Sequence, residues 1–211
     1  VAADIICDST RRAGFEVYGV EYVTIPAIHN VVNGQWNGGN IVSNIINNST
    51  ARTSHVNKIV DLVVSKNYDG IDIDYENLNA NDRANYTAFL TALGNALHAK
   101  GKLLTTDVYG KTSEPGTWNG PQAQDYQALG AAEDEVRIML YDYSPSSIGP
   151  IAPLSWTSSV LNFAKTKIPA GKIIQGVPLY GYDWTGNGGT PKDLIWTEAT
   201  ALATRAHVWV A

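Results

Sequence analysis

Short apolar runs rich in β-branched residues alternate along the chain with longer stretches of helical periodicity. The apolar runs predict strands at residues 22–28, 70–75, 103–108, 136–141 and 173–179. The helical stretches predict helices at residues 41–46, 53–65, 86–100, 121–129, 157–165 and 197–204, with one more at residues 4–14. Strands that alternate with helices in this way are typical of βαβ units around a parallel sheet.

The predicted strands end in polar or aromatic residues, and this distinguishes two parallel folds. The strand-end residues are His29, Asn30, Asp74, Glu76, Asp107, Tyr109, Tyr141, Asp142, Tyr180 and Tyr182. A (β/α)8 barrel gathers side chains from many strands onto one face, whereas an open doubly wound sheet binds its ligand at one switch point. No glycine-rich phosphate loop follows a strand. The pattern therefore favours an α/β TIM (β/α)8 barrel. The barrel is expected to be incomplete in this chain, because five strands are predicted and a closed barrel has eight.

Composition narrows the range of partners. The 211 residues carry a net charge of −5 with scattered Lys and Arg, so neither nucleic acid nor a membrane surface is an expected partner. No apolar run approaches the ~20 residues that span a bilayer. One domain over residues 1–211 is expected. Six Trp and eleven Tyr against three Phe suit sugar stacking and ordinary packing equally well.

The single cysteine and the sequons carry little information. Cys7 excludes an internal disulfide and a multi-cysteine metal site, and it is interpreted as an inert core thiol. Asn47, Asn48 and Asn85 begin Asn-x-Ser/Thr sequons. Such triplets hint at secretion, but they also arise often by chance.

The most informative segment, residues 68–78, reads Tyr-Asp-Gly-Ile-Asp-Ile-Asp-Tyr-Glu-Asn-Leu. Strand alternation places Asp72, Asp74 and Glu76 on one face and the apolar residues between them on the other. In a barrel the isoleucines would pack outward against helices and the acids would point inward. Neighbouring buried carboxyl groups share protons, which raises one pKa as a general acid requires.

Three other interpretations compete with that of a general acid. The acids could line the solvated face of a half-exposed strand. They could bind a cation, although a calcium loop counted from Asp72 has Asn77 where Gly is required and Arg83 where Glu is required, which leaves only a less regular site. They could also form the carboxylate pair of a standard glycosidase, in which one carboxylate attacks the sugar.

Three motifs in the same order resemble family 18 glycoside hydrolases. The acids at 69, 72, 74 and 76 form D-x-x-D-x-D-x-E between Tyr68 and Leu78, which resembles the family's fourth barrel strand. Residues 139–142, Met-Leu-Tyr-Asp, resemble the sixth strand, and residues 176–181, Gly-Val-Pro-Leu-Tyr-Gly, resemble the seventh. Together the motifs outweigh the solvated-strand interpretation and predict a glycosidase.

The resemblance implies a role for each acid. The N-acetyl oxygen of the substrate attacks the anomeric carbon, and Glu76 protonates the leaving oxygen and later activates water. Asp74 orients the acetamido group and stabilises the oxazolinium ion, while Asp72 behind it shares a proton. Asp69, before the strand, is expected to be structural. No metal and no cofactor are implied.

The other two motifs imply substrate contacts. Tyr141 resembles the tyrosine that donates to the acetamido oxygen, so it is counted with the catalytic residues. The expected substrate-binding residues are Asp142, Tyr180, Met139, Tyr182 and Trp184. The implied substrate is a β-1,4 bond at N-acetylglucosamine in chitin, chito-oligosaccharides or peptidoglycan, cleaved with retention. A secreted or cell-wall location follows from that substrate, and the branch that contains spore-cortex N-acetylglucosaminidases and short chitinases fits best.

The resemblance covers residues 23–184, as strands three to seven of the barrel. Strands one, two and eight have no counterpart, and neither Trp196 nor Trp209 matches the eighth-strand tryptophan. Residues 185–211 are expected to begin an insertion. His29 and Asn30 depart from the small-residue and glycine pattern of the third strand. A catalytically silent carbohydrate-binding protein, a fragment that is inactive on its own and a metal-dependent hydrolase remain alternatives. The presence of Glu76 favours the enzyme.

Overall fold

The computed structural model describes residues 23–32, 34–36, 38–184 and 191–206. Its strands are β1 Ala27–His29, β2 Val31–Val32, β3 Gln35–Trp36, β4 Gly70–Asp74, β5 Leu103–Tyr109, β6 Glu135–Met139, β7 Ile173–Gln175, β8 Tyr180–Asp183 and β9 Lys192–Ile195. Its helices are α1 Gly38–Ile46, α2 Ser49–Ser65, α3 Arg83–His98, α4 Asn119–Ala123, α5 Tyr126–Ala132, α6 Leu154–Ala164 and α7 Trp196–Ala206. The helix predicted at residues 4–14 and the core thiol predicted at Cys7 lie outside the described residues.

Five strands form one parallel sheet in the order β1-β4-β5-β6-β7. Each neighbouring pair is connected through at least one helix, so the sheet is a series of βαβ units. Within the described residues β1 and β7 form the two edges of this sheet. The prediction of an α/β barrel fold with an incomplete strand set is confirmed.

The acidic strand β4 is buried on both faces. Every residue from Gly70 to Asp74 is buried, so the interpretation as a half-exposed strand is wrong. Ile71, Ile73 and Tyr75 pack into the core beneath the helices, where the Tyr75 ring stacks on Phe89 of α3 at 6.0 Å. The predicted alternation is therefore confirmed: the apolar residues face the helices, and the acids occupy the opposite face.

Three predicted elements differ from the structure. The strand predicted at residues 173–179 ends at Gln175, because Pro178 has no N–H to continue a ladder, and Leu179 is 86% exposed. The helix predicted at residues 121–129 is two helices, since Asp125 caps α5 by accepting from the amides of Gln127 and Ala128. The first strand pairs only over Ala27–His29, and the short β2–β3 hairpin that follows it was not predicted.

Tyr180 and Tyr182 therefore do not sit at the end of a barrel strand. They lie on β8, which pairs antiparallel with β9 in a separate hairpin. In the part of the chain that is described, no helix is long and apolar enough to cross a membrane.

Candidate active site

The inner face of the sheet is built by the alternation of four neighbouring strands. In the register of β1 with β4, His29 lies beside Asp74. In the register of β4 with β5, Asp72 lies beside Thr105, and in that of β5 with β6, Asp107 lies beside Arg137. Residues two apart on a strand share a face, so this one face collects most of the charged side chains of the sheet.

Glu76 follows β4 and is partly exposed at the open end of the sheet. The hydroxyl of Tyr109 donates to Glu76 Oε2 at 2.7 Å and accepts from the Asn77 amide at 3.3 Å. Burial raises the pKa of Glu76, as do the charges of Asp74 and Asp142, while Tyr109 and the charge of His29 oppose the rise. The net pKa is raised, so Glu76 stays protonated to higher pH than an ordinary glutamate.

Tyr109 is held firmly on its backbone side. Its amide donates to Gln124 Oε1 at 2.9 Å, and its carbonyl accepts from the Tyr126 hydroxyl at 2.6 Å. Its ring meets the exposed ring of Trp118 edge-on, with centroids 4.6 Å apart. The hydroxyl that contacts Glu76 is thus carried by a fixed residue.

Asp74 points toward β1. Its Oδ2 lies 2.7 Å from Nδ1 of His29, and its side chain is 10% exposed against 47% for the histidine. Its Oδ1 is buried without a hydrogen-bond partner among the described residues. Burial raises the pKa of Asp74, and Asp72 adds to the rise, while the charge and the hydrogen bond of His29 oppose it.

Asp72 lies deepest, at 1% exposure. It accepts a short hydrogen bond from the Thr105 hydroxyl and lies 3.4 Å from the Arg137 guanidinium. Burial, and then the charges of Asp72 and Asp74, raise the pKa of Asp107 to about 8. Asp107 therefore stays protonated to higher pH than an ordinary aspartate.

Tyr141 and Asp142 follow β6. Tyr141 is partly buried, and burial together with the charges of Asp107, Asp74 and Glu76 raises its pKa to about 12. Asp142 adopts a left-handed backbone with φ of 53°. Its Oδ1 accepts hydrogen bonds of 2.5 Å from the hydroxyls of both Tyr180 and Tyr182. Asp142 thereby links the β8–β9 hairpin to the end of the sheet.

The aromatic side chains form a continuous row from the sheet to the hairpin. The ring centroids of Tyr141 and Tyr180 lie 6.4 Å apart, those of Tyr180 and Tyr182 5.8 Å, and those of Tyr182 and Trp184 6.0 Å. Met139 ends β6 and is partly buried. The predicted site residues thus fall into two connected groups: the acids with Tyr141 on the sheet, and the tyrosines with Trp184 on the hairpin.

Gly176 shows how closely Tyr141 is packed. A Cβ at this position would lie 2.9 Å from the Ile138 carbonyl oxygen and 3.0 Å from Tyr141 Cε1. A Cβ atom at these distances would clash with the backbone of β6 and with the Tyr141 ring, so the position directly after β7 requires glycine.

Asp69 lies at the opposite end of β4 from Glu76. Its Oδ2 accepts from the Thr24 amide at 2.6 Å, and its carbonyl accepts from the Leu103 amide. These contacts join the entries of three strands. They fit the structural role that was expected of Asp69.

Several contributors to the site were not assigned a role from sequence. Tyr109 and Asp107 stand among the strand-end residues, but nothing local marks them as partners of the acids. Arg137 could have been noticed as a lone cation inside the apolar β6. Trp118, which precedes α4, and Trp36, which ends β3, are exposed rings beside Tyr109 and His29, respectively. Among the described residues, no group of three or more His, Cys, Asp or Glu side chains could hold a metal ion.

The fold and the acidic strand together define a family. The sequence profile of glycosyl hydrolases family 18 matches residues 28–208, and the chain belongs to this family. The resemblance drawn from the three motifs is confirmed.

Relatives at the level of sequence and structure agree with this assignment. The chain is 43% identical over 146 residues to YdhD of Bacillus subtilis, which is named a sporulation-specific glycosylase, covering 68% of this chain and 34% of that protein. It is 32% identical to the cortical fragment-lytic enzyme of Bacillus cereus, over 95% of this chain and 48% of that enzyme. A chitinase from Chromobacterium violaceum superposes with a TM-score of 0.84 at 32% identity, over 97% of this chain and 62% of that one. The chain thus spans between a third and about a half of these two curated relatives.

Proposed function

We propose that this protein is a retaining glycoside hydrolase that cleaves β-1,4 bonds at N-acetylglucosamine. The observation that carries the proposal is Glu76. It is a partly exposed carboxyl group with a raised pKa at the open end of the sheet. It follows Asp74, the last residue of β4, by two positions, which is the spacing of side chains on one face of a strand. A protonated acid beside a second carboxylate is the arrangement that glycoside cleavage needs.

The proposed mechanism uses the acetamido group of the substrate as nucleophile. Glu76 protonates the leaving oxygen while Asp74 accepts the acetamido N–H and turns that group toward the anomeric carbon. The negative charge of Asp74 then stabilises the positive oxazolinium ion. Tyr141 donates its hydroxyl to the acetamido oxygen. Water activated by Glu76 opens the intermediate with net retention.

The buried carboxyl groups behind Asp74 act as a proton reservoir in this proposal. The resemblance to the family motif implies that role for Asp72, and Asp107, whose raised pKa supports the idea, is proposed as the carboxyl group that holds the proton. Arg137 compensates part of the negative charge, because its guanidinium lies 3.4 Å from Asp72. Asp74 can then stay ionised next to a buried neighbour.

The substrate is proposed to be chitin, a chito-oligosaccharide or peptidoglycan. Support comes from the relatives, which are named as chitinase and as cortical fragment-lytic enzyme. Asp142, Tyr180, Tyr182 and Trp184 are proposed to contact the sugar beside the cleaved bond, with Met139 lining the pocket. A secreted or cell-wall-associated location follows from such a substrate.

The test measures hydrolysis of a fluorogenic N,N′-diacetylchitobioside and of peptidoglycan fragments. Glu76→Gln is expected to lower kcat by at least about 100-fold, since general acid catalysis contributes factors of that size. Glu198→Gln, which changes an exposed glutamate on α7, is the matched control. Equal rates for wild type and Glu76→Gln would contradict the assignment.

Two further arms separate the alternatives. A fluorogenic cellobioside has a hydroxyl in place of the acetamido group, so its cleavage at a comparable rate would show a carboxylate nucleophile instead. Binding of chito-oligosaccharide measured by calorimetry without hydrolysis would identify a silent carbohydrate-binding protein. A wild-type chain that neither binds nor cleaves would refute the proposal.

A further inference from the structure

We infer that His29 and Asn30 are positioning residues for the two reacting carboxyl groups. His29 holds the carboxylate of Asp74, and Asn30 holds the backbone of Glu76. The inference rests on the proposed function, because it assigns a task to the neighbours of that site.

The side chain of Asn30 contacts the backbone of Glu76 directly after the pairing of β1 with β4 ends. β1 stops at His29, and the next residues turn into the β2–β3 hairpin. The side-chain amide of Asn30 donates to the Glu76 carbonyl at 2.7 Å, and its Oδ1 accepts from the Glu76 amide at 2.9 Å. The side chain thus supplies the donor and acceptor that a neighbouring strand would have supplied. At 6% exposure, this pair of bonds is shielded from water.

The backbone of Glu76 is a place where such support matters. Glu76 lies outside β4, and the next residue, Asn77, has a left-handed φ of 54°. The chain therefore leaves the sheet and turns at the residue that carries the proposed acid. A shift of about 1 Å in a reacting group is enough to lower a rate about 100-fold. Asn30 on one side and Tyr109 on the other restrict that shift.

His29 defines the direction of the Asp74 carboxylate. The two residues are register partners on neighbouring strands, and Nδ1 lies 2.7 Å from Oδ2. Since Oδ1 is buried, Oδ2 is the oxygen that a ligand can reach. A carboxylate oxygen has a second acceptor site, so Oδ2 can keep His29 and also accept the acetamido N–H. The ring of Trp36 lies edge-on to the histidine at 5.9 Å and limits its rotation.

His29 also favours the charged form of Asp74, which the proposed mechanism requires. Burial raises the pKa of Asp74, and His29 opposes that rise both by its charge and by its hydrogen bond. The other titratable groups that interact with Asp74 or His29 are Asp72, Glu76, Tyr86, Asp107, Tyr109 and Tyr141. Most of them are acidic, so removal of His29 leaves burial and the neighbouring negative charge with less opposition.

The first experiment compares His29→Ala with His29→Asn. The alanine variant is expected to lower kcat/KM about 10- to 100-fold, the value of one hydrogen bond to a charged group. It should also move the acid limb of the pH profile to higher pH, because Asp74 then ionises later. The asparagine variant keeps a donor near the place of Nδ1 but has no charge. It should recover most of the rate and leave the acid limb displaced.

The second experiment isolates Asn30. Asn30→Ala is expected to lower kcat about 10-fold or more, as expected for two lost hydrogen bonds at a reacting residue, with an unchanged acid limb. His98→Ala is the matched control. That histidine pairs with Asp134 at 2.9 Å and is exposed to a similar degree as His29. It lies at the C-terminal end of α3, away from the strand ends that carry the proposed site. It should leave kcat/KM and the pH profile as in wild type.

A direct titration keeps this inference separate from the proposed function. The carboxyl carbon of Asp74 is followed by NMR in wild type and in both His29 variants. His29→Ala should raise the pKa of Asp74 whether or not the chain hydrolyses sugar. An unchanged Asp74 titration together with wild-type kcat/KM in His29→Ala would overturn the inference. If wild type shows no hydrolysis but His29→Ala still raises the pKa of Asp74, only the proposed function is refuted.

Discussion

Replacing Tyr109 by phenylalanine removes one hydroxyl and leaves the ring against Trp118. That hydroxyl donates to Glu76 Oε2 at 2.7 Å, and its other contacts, with the Asn77 amide at 3.3 Å and with Asn77 Oδ1 at 3.5 Å, are long. The change therefore acts mainly on the carboxyl group proposed as the acid. Because a hydrogen bond stabilises the ionised carboxylate more than the neutral acid, its loss must raise the pKa of Glu76.

The size of the rise follows from the geometry. A hydrogen bond to a charged group contributes about 1.5–3 kcal/mol, and one pKa unit corresponds to about 1.36 kcal/mol. Glu76 is partly exposed, so water replaces part of the lost bond, and the protonated acid can itself bond to the hydroxyl. We therefore expect a rise of about one unit, at the lower end of that range.

The alkaline limb of kcat/KM against pH reports this group, since a general acid must be protonated in the free enzyme. In Tyr109→Phe the limb should move about one unit to higher pH, with the rate on the plateau little changed. The carboxyl carbon of Glu76, followed by NMR, should show the same shift directly. Tyr86→Phe is the control, because that buried hydroxyl has no hydrogen-bond partner among the described residues.

A limb that stays in place while the Glu76 titration moves would show that another group limits the rate. A Glu76 titration that stays in place or moves to lower pH would refute the reasoning itself, because it would mean that Tyr109 does not favour the ionised carboxylate.

Other changes test separate parts of the site. The pKa of Asp107 is raised in the folded protein, so the stability that this group contributes is fully present below its ordinary pKa of 3.8 and is lost as pH rises toward about 8. The Tm of wild type should therefore fall over this pH range, and Asp107→Asn should make the fall smaller. An equal fall in both proteins would contradict this prediction. Gly176→Ala should displace the Tyr141 ring and lower kcat about 10-fold or more, with Gly171→Ala, where a Cβ meets open space, as the control. Asp142→Ala should free the hydroxyl of Tyr180 and weaken oligosaccharide binding about 10-fold by calorimetry, and unchanged affinity would remove Asp142 from the binding site.

The acidic strand could be predicted from sequence because its information is local. Alternation over Gly70–Asp74 assigns each side chain to a face, and the apolar residues between the acids can face only the helices. The helix predicted at residues 86–100 is α3, for the same reason. It ends at His98, shortly before Gly101, whose φ of 65° suits glycine. Patterns confined to one element are read reliably when the element is regular.

The hairpin that carries Tyr180 and Tyr182 could not be predicted, because its pairing joins residues on either side of a loop. The apolar run at residues 173–179 continues past the real end of β7, and only Pro178 signals that the ladder stops. The contact of His29 with Asp74 is also hidden, because it depends on the register of strands whose residues are 45 positions apart. Register of this kind is set by the packing of the sheet, and neither strand specifies it alone.

The difference between local patterns and contacts between distant segments also applies to the proposed chemistry and its pH range. Asp72, Asp74 and Glu76 lie within one short segment, so a motif alone is enough to propose them as the reacting groups. The protonation of Asp74 and Glu76 depends on His29 and Tyr109, which come from two other strands. A family 18 chain with an intact acidic motif but different residues at these positions should therefore keep the chemistry and shift its pH range. Exchanging each residue alone tests that separation. Loss of the Tyr109 hydroxyl should displace the alkaline limb of the pH profile, whereas loss of His29 should displace the acid limb and, because its charge also lowers the pKa of Glu76, move the alkaline limb to higher pH.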